Sequence, residues 1–233
     1  MRHIRALLIT LGILIVIVPW GVIFSAMRLN PWFDPLRGAF SDLGGPRSSY
    51  PWVFNEGLVI SALILAAFSL ALISISENKT EGVGGSFMLV ASMFLAMIGI
   101  FHEGTYPHDF VSLWFFVQAD MAIAALGLGR LPVTRKSGAF LTAWSFVGIA
   151  VAVAIRWPST ATLEAFGISA LDLAVIILLL TISFGDRRET IGRGSHKRFS
   201  LSPNQVNRSA DAKAKLGRCP KRSMPILTIL LAA

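Results

Sequence analysis

The chain is organised by long apolar stretches that contain no Lys or Arg. Six such stretches of roughly 20 residues occur, each bounded by polar or turn-forming residues. A helix of about this length spans the hydrocarbon core of a bilayer. The predicted spans cover approximately residues 6–27, 52–76, 84–101, 110–129, 138–155 and 164–184. The pattern predicts an all-α fold, a polytopic membrane bundle of six transmembrane helices.

The first stretch also has a second interpretation. It follows Met1-Arg2-His3-Ile4-Arg5, as the apolar region of a cleavable signal peptide would. Its apolar run of about 22 residues is longer than the 7–15 residues of a signal h-region. Pro19 and Trp20 within it suit a kinked membrane anchor. We therefore count this stretch as a membrane span.

Composition separates the chain into two parts. Apolar residues make up 54% of the 233 residues, and the mean hydropathy is +0.66. Residues 1–184, the predicted six-helix domain, hold 10 basic and 10 acidic residues, whereas residues 185–233 hold 11 and 3. The net charge of +8 therefore lies in the tail and does not indicate a nucleic-acid partner. We expect the tail to be disordered, and either solvated without a specific role or drawn to anionic lipid.

The loops predict the orientation of the bundle. With the N-terminus in the cytoplasm, the inner loops and the N-terminal segment carry six basic residues and the outer loops carry four, and the basic tail adds to the inner side. Trp and Tyr prefer the membrane–water interface. Six of them fall at the outer end: Trp32, Tyr50, Trp52, Tyr106, Trp114 and Trp157. We predict a multi-pass protein of the cell (cytoplasmic) membrane with both termini in the cytoplasm.

The first and third loops bring polar residues to the outer end. The first contains FSDLGGP and leads into WVFNEG, and the third reads FHEGTYPHD. The outer-face polar cluster predicted from them comprises Ser41, Asp42, Asn55, Glu56, His102, Glu103, His108, Asp109 and Ser112.

Two interpretations of this cluster are open. Asp42, His102 and His108 are the types of ligand that zinc or manganese accepts, and bound zinc would supply hydroxide near neutral pH. Alternatively, these residues cap helices, form turns and meet water. His102 and His108 lie six residues apart across Pro107, which is not a helical ligand spacing.

Two acids lie deep within predicted spans. Asp120 is about 16 Å along its helix from Asp109, and Asp172 is about 12 Å along its helix from Glu164. A helical face running inward from the outer cluster contains Asp109, Ser112, Phe116 and Asp120. Acids at this depth usually face the bundle interior. They predict either a path for protons or substrate, or hydrogen bonds between helices.

The ordered set of motifs resembles a known family. It consists of SDLG at Ser41–Gly44, Asn55 at the start of the second span, His108, Ser112 and Phe115-Phe116. This set resembles the prokaryotic membrane family called domain of unknown function 998, which is distantly similar to the Frag/DRAM/Sfk group. The resemblance covers approximately residues 6–184. It implies a six-span fold and a shared pattern of Ser41, Asp42, Asn55, His108 and Ser112, and it implies no chemistry.

Two functions follow as hypotheses. The first is a non-enzymatic protein that transports a substrate or binds lipid or a protein partner, with Asp120 and Asp172 lining a cavity. The second is a metal-dependent intramembrane hydrolase acting on lipid or amide bonds, with Asp42, His102 and His108 converging. We favour the first, because the spans contain no ligand pair at helical spacing.

Overall fold

The computed structural model describes the backbone of residues 2–198 and the side chains of residues 3–183. Within these residues the chain is helical and contains no strand. The elements are α1 Arg2–Leu29, the 3₁₀ helix η1 Phe40–Gly44, α2 Pro51–Ile75, α3 Lys79–Ile100, α4 His108–Arg130, α5 Arg135–Ala154 and α6 Thr160–Arg198. All six α-helices are long and apolar enough to cross a membrane, which confirms the predicted fold class.

The helix ends differ from the predicted spans by several residues. Helix α3 begins at Lys79, whereas the predicted span begins at residue 84, because the Asn78 side chain caps the helix by accepting the Glu81 N–H at 3.0 Å. Helix α6 extends past residue 184, where the predicted tail starts, to Arg198. The rest of the predicted tail, residues 199–233, lies outside the described residues.

The surface of the bundle is that of a membrane-embedded protein. Leu63 on α2 is 66% exposed and Val153 on α5 is 82% exposed, whereas Leu65 and Phe68 on α2 are fully buried. Helices that are apolar on both faces can contact lipid with the outer face and pack into the core with the inner face.

Consecutive helices from α1 to α5 pack against each other in chain order. Helix α6 contacts α1, where Trp20 Nε1 donates to Asp172 Oδ2 at 2.8 Å. It contacts α5, where Trp144 Nε1 donates to the Ala170 carbonyl at 3.0 Å. It also contacts α4, where Gly167 lies so close to the Phe116 ring that a Cβ would approach within 2.5 Å. Helix α6 thereby encloses the bundle interior between α1 and α4.

Two buried residues of opposite charge lie near each other at the end of the bundle opposite η1, without a hydrogen bond between Glu81 Oε1 and Arg130 Nε. The Arg130 Nε lies 4.0 Å from Glu81 Oε1, and the two side chains are 9% and 5% exposed. Gly129 permits this packing, because a Cβ there would lie 2.7 Å from both the Glu81 backbone nitrogen and the Glu81 Cγ. The Asn78 Nδ2 donates to the Gly129 carbonyl at 2.8 Å, so the start of α3 and the end of α4 are also joined directly.

Candidate functional site

The first loop places η1 across one end of the bundle. The residues Phe40, Ser41, Leu43 and Gly44 of this short helix are buried. Its N-terminal N–H groups are capped by two carboxylates: Ala39 N–H donates to Asp42 Oδ2 at 2.9 Å, and Phe40 N–H donates to Glu164 Oε2 at 2.6 Å. A carboxylate at a helix N-terminus satisfies donors that have no helical partner. Asp42 therefore caps the start of η1 within the first loop.

Glu103 of the third loop connects η1 with α4. Its Oε2 accepts the Ser41 hydroxyl at 3.0 Å and lies 3.0 Å from His108 Nε2. Ser112, one turn along α4, places its hydroxyl 3.4 Å from the same ring nitrogen. We call these four residues, Ser41, Glu103, His108 and Ser112, the Glu103 network.

The hydrogen bonds of His108 determine how many protons the network holds. Its Nδ1 faces the Phe101 carbonyl at 2.7 Å, and a carbonyl only accepts, so Nδ1 carries a proton. The contact between Nε2 and Glu103 needs one further proton, which either the ring or the carboxyl group supplies. His108 is 4% exposed, whereas the Glu103 side chain is 36% exposed, so the contact joins a buried residue to a partly exposed one.

The third loop has the conformation that this network requires. Gly104 has a φ of +91°, a left-handed value that favours glycine. It turns the chain between Glu103 and Pro107, which precedes α4. His108 N–H donates to the Thr105 carbonyl at 3.1 Å, so His108 enters α4 from a closed turn. The short path around Gly104 lets Glu103 reach both η1 and the first turn of α4.

Asn55 joins η1 to α2. Its Nδ2 donates to the Gly44 carbonyl at 3.0 Å, and its buried Oδ1 has no hydrogen-bond partner among the described residues. Gly44 is required here, because a Cβ would overlap Asn55 Oδ1 and lie 2.9 Å from Phe54 Cδ1. Asn55 therefore holds η1 against the start of α2.

The remaining members of the predicted cluster lie apart. Glu56 and Asp109 are exposed, and Asp109 occupies the first turn of α4, where a negative charge is favourable. His102 directs Nδ1 to the carbonyl of its neighbour Glu103 at 2.8 Å. The structure thus brings together Ser41, Asn55, Glu103, His108 and Ser112 around η1, and leaves these three residues outside.

The predicted metal ligands do not form a ligand set. Among residues 3–183, no group of three or more His, Cys, Asp or Glu side chains is arranged to hold a metal ion. Asp42 accepts from Ala39, His102 faces the Glu103 carbonyl, and His108 binds Phe101 and Glu103. The prediction of zinc or manganese at Asp42, His102 and His108 gains no support, because each group is turned toward a different partner.

A cavity of about 80 Å³ lies beneath η1, between α1, α2, α3, α4 and α6. Apolar side chains form most of its wall. Four polar side chains interrupt this wall, and none of the lining residues is basic: they are Ser41, Ser112, Glu164 and Asp172. Two members of the Glu103 network, Ser41 and Ser112, therefore line the cavity.

Two acids of α6 line this cavity at different depths. Glu164 uses Oε2 to accept the Phe40 N–H, and Asp172 uses Oδ2 to accept the Trp20 indole at 2.8 Å. Eight residues separate them, which is a rise of about 12 Å. Sequence reasoning used Glu164 only as the start of the sixth span. The sequence does contain a signal for Glu164, because this acid lies on the same side of the helix as Asp172.

Asp120 does not line the cavity, contrary to the hypothesis that it shares an interior with Asp172. Its Oδ2 accepts the Ser145 hydroxyl of α5 at 2.9 Å. Ser112 and Phe116, one to two turns nearer to η1, do face the cavity. The predicted face of α4 therefore lines the cavity at Ser112 and Phe116 but not at Asp120. At Asp120, α5 packs against α4 and supplies a hydrogen-bond donor.

A model of the family described as "Protein of unknown function (DUF998)" matches residues 11–181, well over half of the chain. The chain belongs to this family. No curated protein and no solved structure matches it significantly. The DUF998 match extends from α1 to α6 and confirms the resemblance stated from the SDLG motif and the residues that follow it. The more distant similarity to the Frag/DRAM/Sfk group stays a prediction.

Proposed function

We propose that this protein is a non-enzymatic transport protein that takes a small solute into the cavity beneath η1. The observation that supports this is the cavity itself, whose polar groups come from η1, α4 and α6 and whose walls are otherwise apolar. Pockets of this composition bind small molecules, since a few placed polar groups orient a ligand that is otherwise in apolar contact.

The size of the cavity favours a small solute over a lipid. An engineered apolar cavity of about 150 Å³ admits benzene. The cavity beneath η1 is about 80 Å³, roughly half of that. An acyl chain is many times longer than a benzene ring. Of the two non-enzymatic hypotheses, transport of a small solute fits this volume, whereas lipid binding in the cavity does not.

The geometry of His108 argues against hydrolysis. In a Ser–His–acid triad the acid holds Nδ1 and the free Nε2 accepts the serine proton. Here the Phe101 carbonyl occupies Nδ1, while Glu103 lies nearer to Nε2 than Ser112 does, at 3.0 Å against 3.4 Å. His108 is therefore engaged on both sides and is not positioned as a base for Ser112. No observation of the described residues favours the metal-dependent alternative.

The orientation that we propose places η1 at the outer face and the N-terminus in the cytoplasm. The excess of basic residues in the opposite loops supports it. Trp52 and Tyr106, at 59% and 101% exposure, lie at the η1 end, where an interfacial belt would be expected. In this orientation the cavity receives its solute from outside.

Uptake into proteoliposomes tests the proposal. Radiolabelled urea, guanidinium and acetate serve as three small solutes of similar size and different charge. We expect at least one to enter faster than into protein-free vesicles. Leu58→Trp and Ile168→Phe, which fill the cavity, should slow this entry.

Leu63→Trp is the matched control, because Leu63 lies on the same helix as Leu58 but faces outward. Its uptake should equal that of the wild type. Entry of none of the three solutes, or equal entry in the filled and control variants, would contradict the proposal. Thermal unfolding in detergent shows that the variants are folded before uptake is measured.

A further inference from the structure

We infer that the solute is a small organic cation with N–H donors, held first at Glu164 and then at Asp172. This inference rests on the proposed transport function and names its substrate class. Both carboxylates line the same cavity, and none of the residues that line it is basic. The lining residues supply no positive charge, so a cationic ligand would complement the two carboxylates.

Each carboxylate has one oxygen left for a ligand. Glu164 binds the Phe40 N–H through Oε2, and Asp172 binds the Trp20 indole through Oδ2. A carboxylate has two oxygens and about four acceptor sites. Glu164 Oε1 and Asp172 Oδ1 accept no hydrogen bond from the described residues, so they are free to accept N–H groups of a ligand.

The surroundings of Glu164 strengthen its preference for a cation. Asp42 and Glu103 are near enough to act on it electrostatically, and both are acidic. His108, the basic side chain of this region, is bound to Glu103 and does not line the cavity. An anion would meet only acidic side chains here, and a neutral solute would bring no charge that complements them.

The cavity also limits the size of the cation. At about 10–15 Å³ for each water, 80 Å³ corresponds to about five to eight water positions. This is enough for an ammonium or guanidinium group with little or no attached carbon chain. Ser41 and Ser112 also line the cavity, and a hydroxyl oxygen can accept an N–H group of such a cation.

The spacing of the two acids along α6 suggests successive binding positions. A rise of about 12 Å separates them, and Asp172 lies deeper in the bundle than Glu164. A cation that passes from Glu164 to Asp172 stays near a carboxylate along a route that is otherwise apolar. This arrangement reduces the large penalty for an isolated charge inside a membrane.

Guanidinium and urea provide the test, because they have the same planar shape and differ in charge, and guanidinium stays protonated. Radiolabelled uptake into proteoliposomes is measured for the wild type, Glu164→Gln, Asp172→Asn and Asp120→Asn. The amide variants can still accept the Phe40 and Trp20 N–H groups, so they retain the local structure. Asp120→Asn is the matched control, since this acid is also inside the bundle but binds Ser145 outside the cavity.

We expect guanidinium to enter the wild type at least about tenfold faster than urea and acetate, after subtraction of the protein-free rate. Loss of one charge-assisted hydrogen bond of about 1.5–3 kcal/mol corresponds to about tenfold or more. Glu164→Gln and Asp172→Asn should therefore lose at least about tenfold in guanidinium uptake, and Asp120→Asn should change less than about twofold.

Two results would overturn the inference. One is urea or acetate uptake that equals guanidinium uptake and is blocked by Leu58→Trp; the cavity would then still carry a small solute, and only the substrate class would be wrong. The other is guanidinium uptake that Glu164→Gln and Asp172→Asn leave unchanged. Failure of all three solutes to enter would instead contradict the proposed transport function.

Discussion

The two ends of the bundle differ in whether a buried acid has a basic residue nearby. At the end opposite η1, Glu81 and Arg130 are both nearly inaccessible and pair with each other across 4.0 Å. At the η1 end, Glu164 and Asp172 face a cavity whose lining contains no basic residue. One end therefore balances its charge within the protein, and the other leaves an acidic excess.

This difference indicates which end is structural and which binds a ligand. A buried ion pair fills its space and holds two helices together, and removal of one partner leaves a charge without compensation. Acids beside a cavity can be compensated by something that enters and leaves. An acidic residue thus has a fixed partner at one end and, as we propose, an exchangeable ligand at the other.

Removal of Arg130 should have the largest effect on stability. Arg130→Met would leave Glu81 buried without its partner, which lowers the free energy of unfolding by about 3–5 kcal/mol. The measurement is denaturant unfolding in detergent micelles.

The double variant Glu81→Gln/Arg130→Met is the control for this experiment. It removes both charges, so it should regain most of the lost stability. If Arg130→Met alone is as stable as the wild type, the ion pair does not hold this end and the contrast between the two ends disappears.

Gly44→Ala should damage the η1 end next most strongly. The added Cβ would overlap Asn55 Oδ1 and press on Phe54, which displaces η1 from α2. Overpacking of this kind lowers stability by about 1–3 kcal/mol. Gly21→Ala is the matched control, because a Cβ there meets nothing within 4 Å. Equal unfolding free energies for the two variants would refute the tight contact.

Glu103→Gln should have a smaller effect. Glutamine retains the shape and can still bind Ser41, but it removes the carboxyl group that contacts His108 Nε2. We expect a loss of about 1 kcal/mol in unfolding free energy, and faster exchange of the cavity solute. The exposed Glu56→Gln serves for comparison and should stay within about 0.5 kcal/mol of the wild type. If the two variants have equal unfolding free energies, the Glu103 network does not contribute to the stability of the η1 end.

Ser145→Ala should have the smallest effect on stability, because Ser145 belongs neither to the Glu81–Arg130 contact nor to the η1 end. It removes the hydroxyl that Asp120 accepts between α4 and α5. Hydrogen bonds between membrane helices contribute about 0.6 kcal/mol on average. Guanidinium uptake should stay unchanged in this variant. A loss of uptake would mean that Asp120 takes part in the route after all.

The fold was accessible from the sequence because apolar runs long enough to span a bilayer are rare outside membrane helices. The helix ends were less accurate, since caps such as Asn78 extend a helix past the apolar run. Ser41, Asn55, His108 and Ser112, which the sequence places in the first and third loops and at the helix starts after them, lie around η1 in the structure. The role of Glu103 as the residue that joins them depends on the turn at Gly104, which the helical period does not reveal.

The intramembrane acids show why the contacts between helices could not be predicted. Helical periodicity places a residue on a face of its own helix, but it does not say which neighbouring helix lies opposite at that depth. Asp120 and Asp172 both lie deep within predicted spans, yet Asp120 binds Ser145 and Asp172 lines the cavity. Glu164 was overlooked for a related reason, because its partner, the Phe40 N–H, lies more than a hundred residues away in the chain.

The attachment of η1 also decides whether the cavity keeps its wall at this end. Three hydrogen bonds join this short helix to separate elements: Phe40 to Glu164, Ser41 to Glu103 and Gly44 to Asn55. At about 1 kcal/mol each, these bonds contribute about 3 kcal/mol, and the burial of Phe40 and Leu43 adds to them. Phe40 and Ser41 both line the cavity. Release of η1 would therefore remove part of the cavity wall, and the bonds and the burial together keep that state rare.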